Sequence, residues 1–336
     1  MELFRNVNVD WLGKKWYFLG FSLIFSVAGL ISMGVHWAHP VGGVHSPVPL
    51  GVDFRGGTQV QVQFNQTPDI TRIRQAMDAS GIRDSSIQPI RNVDQASSND
   101  VLISLPEQTN EAALDTGREQ IMDALRTHYD SSIGTKNIRN VQVVGPTVGR
   151  QLEKQAGLAT LYSMAGMLVY LWFRFQLIYG VAAVVACFHD TLITVGAFAL
   201  LDSFGFQGME ISLTVIAAIL TLIGYSMNDT IVVFDRIREN LRLSRRESLP
   251  DVVNRSINQT LSRTVLTSGL TFITVLSLFV FGGQVLKGFS FALVIGILIG
   301  TYSSIAVAAP MLVAWQEWRA KSGRNAALPP AKRAKV

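Results

Sequence analysis

The run Gly224-Tyr-Ser-Met-Asn-Asp-Thr-Ile-Val-Val-Phe-Asp-Arg-Ile-Arg-Glu-Asn240 decides the fold. It closes an apolar stretch that begins at Ile211 and is long enough for a helix to cross the roughly 30 Å of bilayer hydrocarbon. Inside that length it carries a carboxylate, Asp229. A charged side chain at membrane depth costs about 3 kcal/mol on insertion scales unless it is paired, hydrated or protonated, so an intramembrane aspartate is read first as a functional residue.

The rest of the chain fits a membrane protein. Of its 336 residues 49% are apolar and 16% charged, against roughly one quarter charged in a soluble domain. The apolar residues come in blocks at 16–35, 177–201, 211–234, 265–281 and 286–314, near the roughly 20 residues that a spanning helix needs. A shorter block, 158–173, follows a polar helix start and ends at Arg174, which makes a sixth span. The last block exceeds one crossing and reads as tilted or emerging at an end. Lys14-Lys15 precede the first block, but its length exceeds that of a signal peptide and no Ala-x-Ala site follows, so it reads as an uncleaved span. Cys187, the single cysteine, lies within a span and has a packing role.

The net charge of +5 is unevenly placed. Arginines crowd the connection after the fourth span, and Arg319, Lys321, Arg324, Lys332, Arg333 and Lys335 crowd the C-terminus. Positive charge marks the cytoplasmic side. The sequence therefore divides into a cytoplasmic N-terminus, 1–15; spans at 16–37, 154–174, 175–201, 210–235, 263–282 and 286–315; an extracytoplasmic domain with linkers, 38–153; a basic cytoplasmic loop, 236–262; and a basic cytoplasmic tail, 316–336. A tail at the end of a span reads as a topology and lipid-headgroup signal rather than a nucleic-acid site. The stretch 247–258, with Leu249, Val252, Val253 and Ile257 on one side, predicts an amphipathic helix along the inner membrane surface.

The exported segment alternates cleanly. Residues 58–64 have the period of a half-buried strand, and 68–80 place Ile70, Ile73 and Met77 on one helix face, with Thr67 to cap the start and Gly81 to end it. Strand candidates 86–91 and 101–105 flank a polar turn. A helix at 110–129, with Leu114, Ile121 and Leu125 inward, leads to a last strand at 138–144. This β-α-β-β-α-β order is ferredoxin-like, so the fold class is an α-helical membrane protein with six transmembrane helices plus a small α+β ferredoxin-like extracytoplasmic domain. His128 sits late in a helix, and the domain carries no catalytic pattern. Ahead of it, Gly51-Val-Asp-Phe-Arg-Gly-Gly-Thr58 sets three glycines around Asp53; alone it reads either as a tight structural turn or as a motif.

Within the spans few polar residues occur. Asp229 has Ser226, Asn228 and Thr230 beside it, and Asp235 is close enough to the arginines to be a boundary charge. An antiparallel hairpin brings Arg263 toward Asp229, and an arginine keeps its charge at physiological pH, so the pair reads either as a helix pin or as a proton site that responds to helix movement. His189-Asp190 lies mid-span and needs a polar interior to face. Gly296 and Gly300 suit close helix packing.

These residues resemble the SecF family, the smaller membrane subunits of the SecDF protein-export complex. Gly224–Asn240 looks like that family's fourth-span signature, and the residues Gly51, Asp53, Phe54, Gly56 and Gly57 look like its motif after the first span. His189-Asp190 and Ile257-Asn-Gln-Thr-Leu-Ser-Arg-Thr-Val265 are similar to further family motifs. The resemblance covers nearly the whole chain and excludes only the linker after the first span and the tail at 323–336. It implies a relative of the resistance-nodulation-division transporters in the bacterial inner membrane, multi-pass, with both termini cytoplasmic. Such a subunit works with SecD and uses the proton-motive force to assist late translocation of unfolded secreted proteins through SecYEG after SecA has spent ATP. YajC belongs to the wider complex. The resemblance implies proton passage at Asp229 and Arg263, a supporting role for His189, Asp190, Ser226, Asn228 and Thr230, no enzyme activity, no metal, and no cofactor beyond the proton gradient.

Two other readings stay open on the residues alone. A small-molecule or lipid exporter of the same type would need a second six-span half. An intramembrane aspartyl protease would pair Asp190 with Asp229, against which stands their difference in depth. Sodium in place of protons would suit the oxygen ligands near Asp229, although Arg263 would repel it.

Overall fold

The computed structural model describes residues 8–39, 45–82, 85–90, 99–105, 114–133, 135–175, 177–206, 209–244, 247–283 and 285–321. Helix α1 spans Lys15–Ala38, and a single turn, α2, spans Val52–Arg55. The α+β domain follows as β1 (Gly57–Gln63), α3 (Ile70–Ala79), β2 (Ser86–Ile90), β3 (Asp100–Leu105), α4 (Leu114–His128) and β4 (Ile138–Val144). The remaining helices are α5 (Pro146–Arg174), α6 (Leu177–Ser203), α7 (Leu213–Leu243), α8 (Leu249–Phe281), α9 (Lys287–Ser303) and α10 (Ala309–Lys321). A π-helical turn, Ser304–Ala308, joins the last two.

Six helices among the described residues are long and apolar enough to cross a membrane: α1, α5, α6, α7, α8, and α9 continued through the π turn to Arg319. The middle of the bundle is α6, α7 and the α9 segment, which bury far more of their length than α1, α5 and α8. Close approach is sequence-encoded at Gly29 and Gly196, where a Cβ on Gly196 would lie 2.7 Å from the Gly29 Cα. That contact seats α1 on α6. Ser32 and Ser203 (3.1 Å) and His36 and Asp202 (3.1 Å) extend it toward the end of α1 that leads to the α+β domain.

The sheet runs β2-β3-β1-β4, with antiparallel pairing throughout. Val60, Val62, Val101 and Ile103 on one face meet Ile73 and Met77 of α3 and Ile121 and Leu125 of α4, all buried. The start of α3 differs from the sequence expectation: Asp69, not Thr67, is its cap and accepts from the backbone N–H groups of Thr71 (2.9 Å) and Arg72 (3.3 Å). Thr67 precedes Pro68, whose ring keeps the preceding residue extended, so the helix starts later.

The connection between α7 and α8 also differs. The stretch read as loop 236–262 is helical to Leu243 and again from Leu249, and 247–258 is not a separate surface helix. Leu249, Val252, Val253 and Ile257 are buried within the protein. Side-chain hydrogen bonds hold this first part of α8: Asn240 of α7 donates to Ser256 (2.8 Å), and Asn254 and Asn258 accept from the backbone N–H groups of Trp11 (2.8 Å) and Val9 (3.2 Å) in the N-terminal segment. The chain covers this apolar face itself. Arg245, Arg246, the tail beyond residue 321 and the first seven residues lie outside the described residues.

Candidate functional site

Among the described residues, the sequence-predicted site residues fall in three places. The first is Asp229 on α7, 3% exposed. Its carboxylate accepts a hydrogen bond from the buried Ser268 hydroxyl of α8 at 2.8 Å. Arg263 is exposed, and among the described residues no ion pair joins it to Asp229. Helix geometry gives the reason. Five residues separate Arg263 from Ser268, and at about 100° per residue they point to faces roughly 140° apart, so α8 cannot turn both toward α7.

The face that α8 does present is a row of hydroxyls. Ser256, Thr260, Thr264 and Ser268, each four residues after the last, are all buried. Three of these hydroxyls donate: Ser268 to Asp229, Thr260 to Ser256 O (3.1 Å) and Ser256 to Val252 O (2.7 Å). The Thr264 hydroxyl is buried and has no hydrogen-bond partner among the described residues. Sequence reading missed Ser256, Thr260, Thr264 and Ser268, although their spacing of four was visible.

The second cluster centres on Asp190 of α6, 1% exposed. One carboxylate oxygen, Oδ2, accepts from Ser226 of α7 (2.5 Å) and from Ser303 of α9 (2.7 Å). The other, Oδ1, lies 3.0 Å from His189 Nδ1, and His189 Nε2 in turn meets the Ser22 hydroxyl of α1. Ser226 thus belongs to Asp190 and not to Asp229. Thr230 is buried and donates to the Ser226 carbonyl (3.2 Å), while Asn228 faces outward. Asp235 is exposed beside Arg174 (3.8 Å), a boundary pair. Ser22 and Ser303 carried no signal in the sequence, since hydroxyls are common in spans.

The third cluster is the glycine motif. Gly51 N–H donates to Ile211 O (2.9 Å), and Ile211 N–H donates to Pro49 O (2.7 Å), which fixes the motif against the entry to α7. Asp53 then bridges two bodies: Oδ2 accepts from the backbone N–H of Leu213, in the first turn of α7 (2.8 Å), and Oδ1 accepts from Gln142 of β4 (2.8 Å). Phe54 is buried in the helical core. Gly56 has φ of +79° and no room for a side chain, since a Cβ would lie 3.0 Å from the Pro146 Cα; Gly57 follows at φ +130°. Left-handed backbone at this packing density requires glycine. Glu210, next to Ile211, has its carboxyl pushed above the usual range by desolvation, which Arg55 of the motif and Ser86 oppose. No cluster of metal-ligating side chains occurs among the described residues.

Comparison with known proteins gives one answer. Residues 124–318 match the family described as protein export membrane protein SecD/SecF, C-terminal, and residues 42–68 match the SecD/SecF GG motif. The chain is 55% identical to the protein translocase subunit SecF of Koribacter versatilis, covering 98% of this chain and 96% of that protein. It is 40% identical to that of Desulfurispirillum indicum, covering 93% of each. The crystal structure of SecDF, a translocon-associated membrane protein from Thermus thermophilus, superposes with a TM-score of 0.74 at 33% identity and covers 93% of this chain. SecDF in its super-membrane-facing form gives 0.65, also at 33% identity. The chain spans 39% and 40% of those two longer chains.

Proposed function

Because the chain belongs to the SecF family of protein translocase subunits, we propose that it works beside SecD as one half of a proton-driven machine in the bacterial inner membrane. On this reading both termini are cytoplasmic, the ferredoxin-like domain is outside, and the pair assists late translocation of unfolded proteins through SecYEG after SecA has spent ATP. YajC belongs to the wider assembly. The proton gradient is the energy source and no cofactor is needed. The chain is a transport subunit and not an enzyme.

One observation carries the reading: Asp229 is buried in a spanning helix with one neutral hydroxyl as its hydrogen-bond partner among the described residues and no ion pair there. A carboxylate so placed changes its energy strongly on taking up a proton, and a proton falling through the membrane potential releases about 2.3 kcal/mol per 100 mV. That suffices to bias a two-state helix movement. The hydroxyl row of α8 offers a route from Asp229 toward the inner end, with the unpartnered Thr264 next in line.

Movement of α7 has a mechanical outlet. Its first turn is held by Asp53, which also holds β4, so a shift or tilt of α7 is passed to the exterior sheet. The test is export of a secreted reporter after ATP-driven initiation, in membranes with and without an imposed proton gradient. Asp229→Asn keeps the shape and removes the titrating group. Loss of the gradient-dependent part, with insertion and SecD association intact, supports the reading; undiminished gradient dependence makes Asp229 a structural pin and overturns its role as the coupling residue.

A further inference from the structure

The Asp190 cluster has no task in the scheme above, yet it joins more helices than Asp229 does. Four elements meet there: Ser22 of α1, His189 and Asp190 of α6, Ser226 of α7 and Ser303 of α9. The groups form an ordered donor and acceptor chain. An ionised Asp190 can only accept, so the His189 nitrogen beside it carries the proton, and Nε2 is left to accept from Ser22. On the other oxygen the Ser226 and Ser303 hydroxyls both donate. Asp190 therefore ties α7 to α9 through one atom.

That tie sits at a weak point of the last span. Ser303 is the final residue of α9 and the π-helical turn begins at Ser304, a break in the regular ladder of the kind that accumulates at functional positions. One turn earlier, Gly300 lies against Ser226, and a Cβ on it would be 2.9 Å from the Ser226 Cβ. The contact between α7 and α9 is thus close, small-sided and fastened by hydroxyls.

We propose that Ser22, His189 and Asp190 form a proton relay whose end state on Asp190 decides how firmly α7 and α9 are held together. The step balances: a proton arrives at His189 Nε2, the Nδ1 proton passes to Asp190 Oδ1, and the imidazole ends neutral. Oδ2 then becomes a carbonyl oxygen. Its two charge-assisted hydrogen bonds to Ser226 and Ser303 fall to about half their strength. Return of the Oδ1 proton to His189 Nδ1, with release of the Nε2 proton, regenerates the carboxylate and restores the tie. Of the elements packed around Asp190, α6 itself adds Cys187, α7 adds Asp229 one turn on from Ser226, and α9 adds Tyr302, whose hydroxyl is taken up by the Phe18 carbonyl. From α1, Ser22 meets the relay, and the π turn contributes only Ser304 and apolar residues.

This inference rests on proton drive, and the experiment separates the two. The full chain, reconstituted with SecD, is compared as wild type, Asp229→Asn, Asp190→Asn and His189→Gln, by gradient-dependent export and by infrared difference spectra of the carboxyl region over roughly pH 5 to 9. The expected result is a protonated-carboxyl band that disappears in Asp190→Asn and whose titration shifts in His189→Gln, with gradient-dependent export at least tenfold lower in His189→Gln while insertion and SecD association persist. The spectra make the outcome readable even where a variant exports poorly through misassembly. An Asp190→Asn spectrum identical to wild type, or His189→Gln export with an unchanged pH profile, makes Asp190 a static pin and overturns the relay. Gradient-dependent export that survives Asp229→Asn removes Asp229 as the coupling residue, whatever the spectra show, and export with no gradient dependence in wild type overturns proton drive itself.

Discussion

Asp53 accepts a hydrogen bond from the backbone N–H of Leu213, 160 residues later in the chain, at 2.8 Å. A carboxylate at that place satisfies an orphan donor at the first turn of a 31-residue helix and sits at the positive end of its dipole. The other oxygen holds Gln142 of the sheet. A residue that looks from sequence like part of a turn is the joint between the α+β domain and the helix that carries Asp229.

Removing that joint has two expected effects. Asp53→Ala costs about 1 kcal/mol, as for a lost helix cap, and lowers the melting temperature of the detergent-solubilised protein. It also reduces gradient-dependent export well beyond what the lost stability explains. Gln142→Ala cuts one of the two bonds and leaves the helix contact, so its melting point stays closer to wild type while export still falls. Wild-type export from both variants would remove the joint from the coupling path.

Gly149 of α5 packs against the same motif. A Cβ there would lie 2.5 Å from the Phe54 carbonyl oxygen and 3.0 Å from its carbon, and backbone cannot step aside. Gly149→Ala is expected to destabilise the docking of α2 on α5 by about 1–3 kcal/mol and to open the junction to protease. Gly157→Ala, with nothing within 4 Å, gains up to about 1 kcal/mol of helix propensity instead. Equal cleavage rates of the two variants would contradict the packing described.

The seat of α1 on α6 is testable by its hydroxyl pair. Ser32 and Ser203 oxygens are 3.1 Å apart, so the double change Ser32→Cys with Ser203→Cys, made in a Cys187→Ala background, should oxidise rapidly to a disulfide. Adding Gly196→Ala places a Cβ 2.7 Å from the Gly29 backbone and should slow that oxidation severalfold as the helices separate. Unchanged oxidation would mean that the two helices do not meet at these glycines.

Glu210 gives the protein a pH-dependent stability term. Its carboxyl is raised above the usual 4.5 by burial, with Arg55 and Ser86 opposing. The native state therefore holds this proton more tightly than the unfolded chain does, so the stabilisation is complete below 4.5 and is lost as pH rises through the raised value. Glu210→Gln stays neutral, so the expected sign is a melting temperature that falls less on raising the pH through that window than it does in wild type. Parallel melting curves for the two proteins across the window would show that Glu210 titrates alike in both states.

The sequence by itself determined the spans, the four strands and their order, because each depends on local composition and period: an apolar run of bilayer length, or alternation over a few residues. It also singled out Asp229, Asp190 and the glycine motif, since a charge in an apolar run and clustered glycines stand out without any knowledge of neighbours. Partnership was decided only by tertiary structure. The helical offset on α8 turns Ser268 toward Asp229 and Arg263 away. The packing of α9 on α7 brings Ser226 and Ser303 to one oxygen of Asp190, and the return of the chain at Ile211 brings Leu213 to Asp53. These contacts join residues tens to hundreds of positions apart. Which hydroxyl meets which carboxylate is set by the rotation and depth of whole helices, and that follows from packing small residues and burying side chains across the bundle, not from the spacing within any one segment.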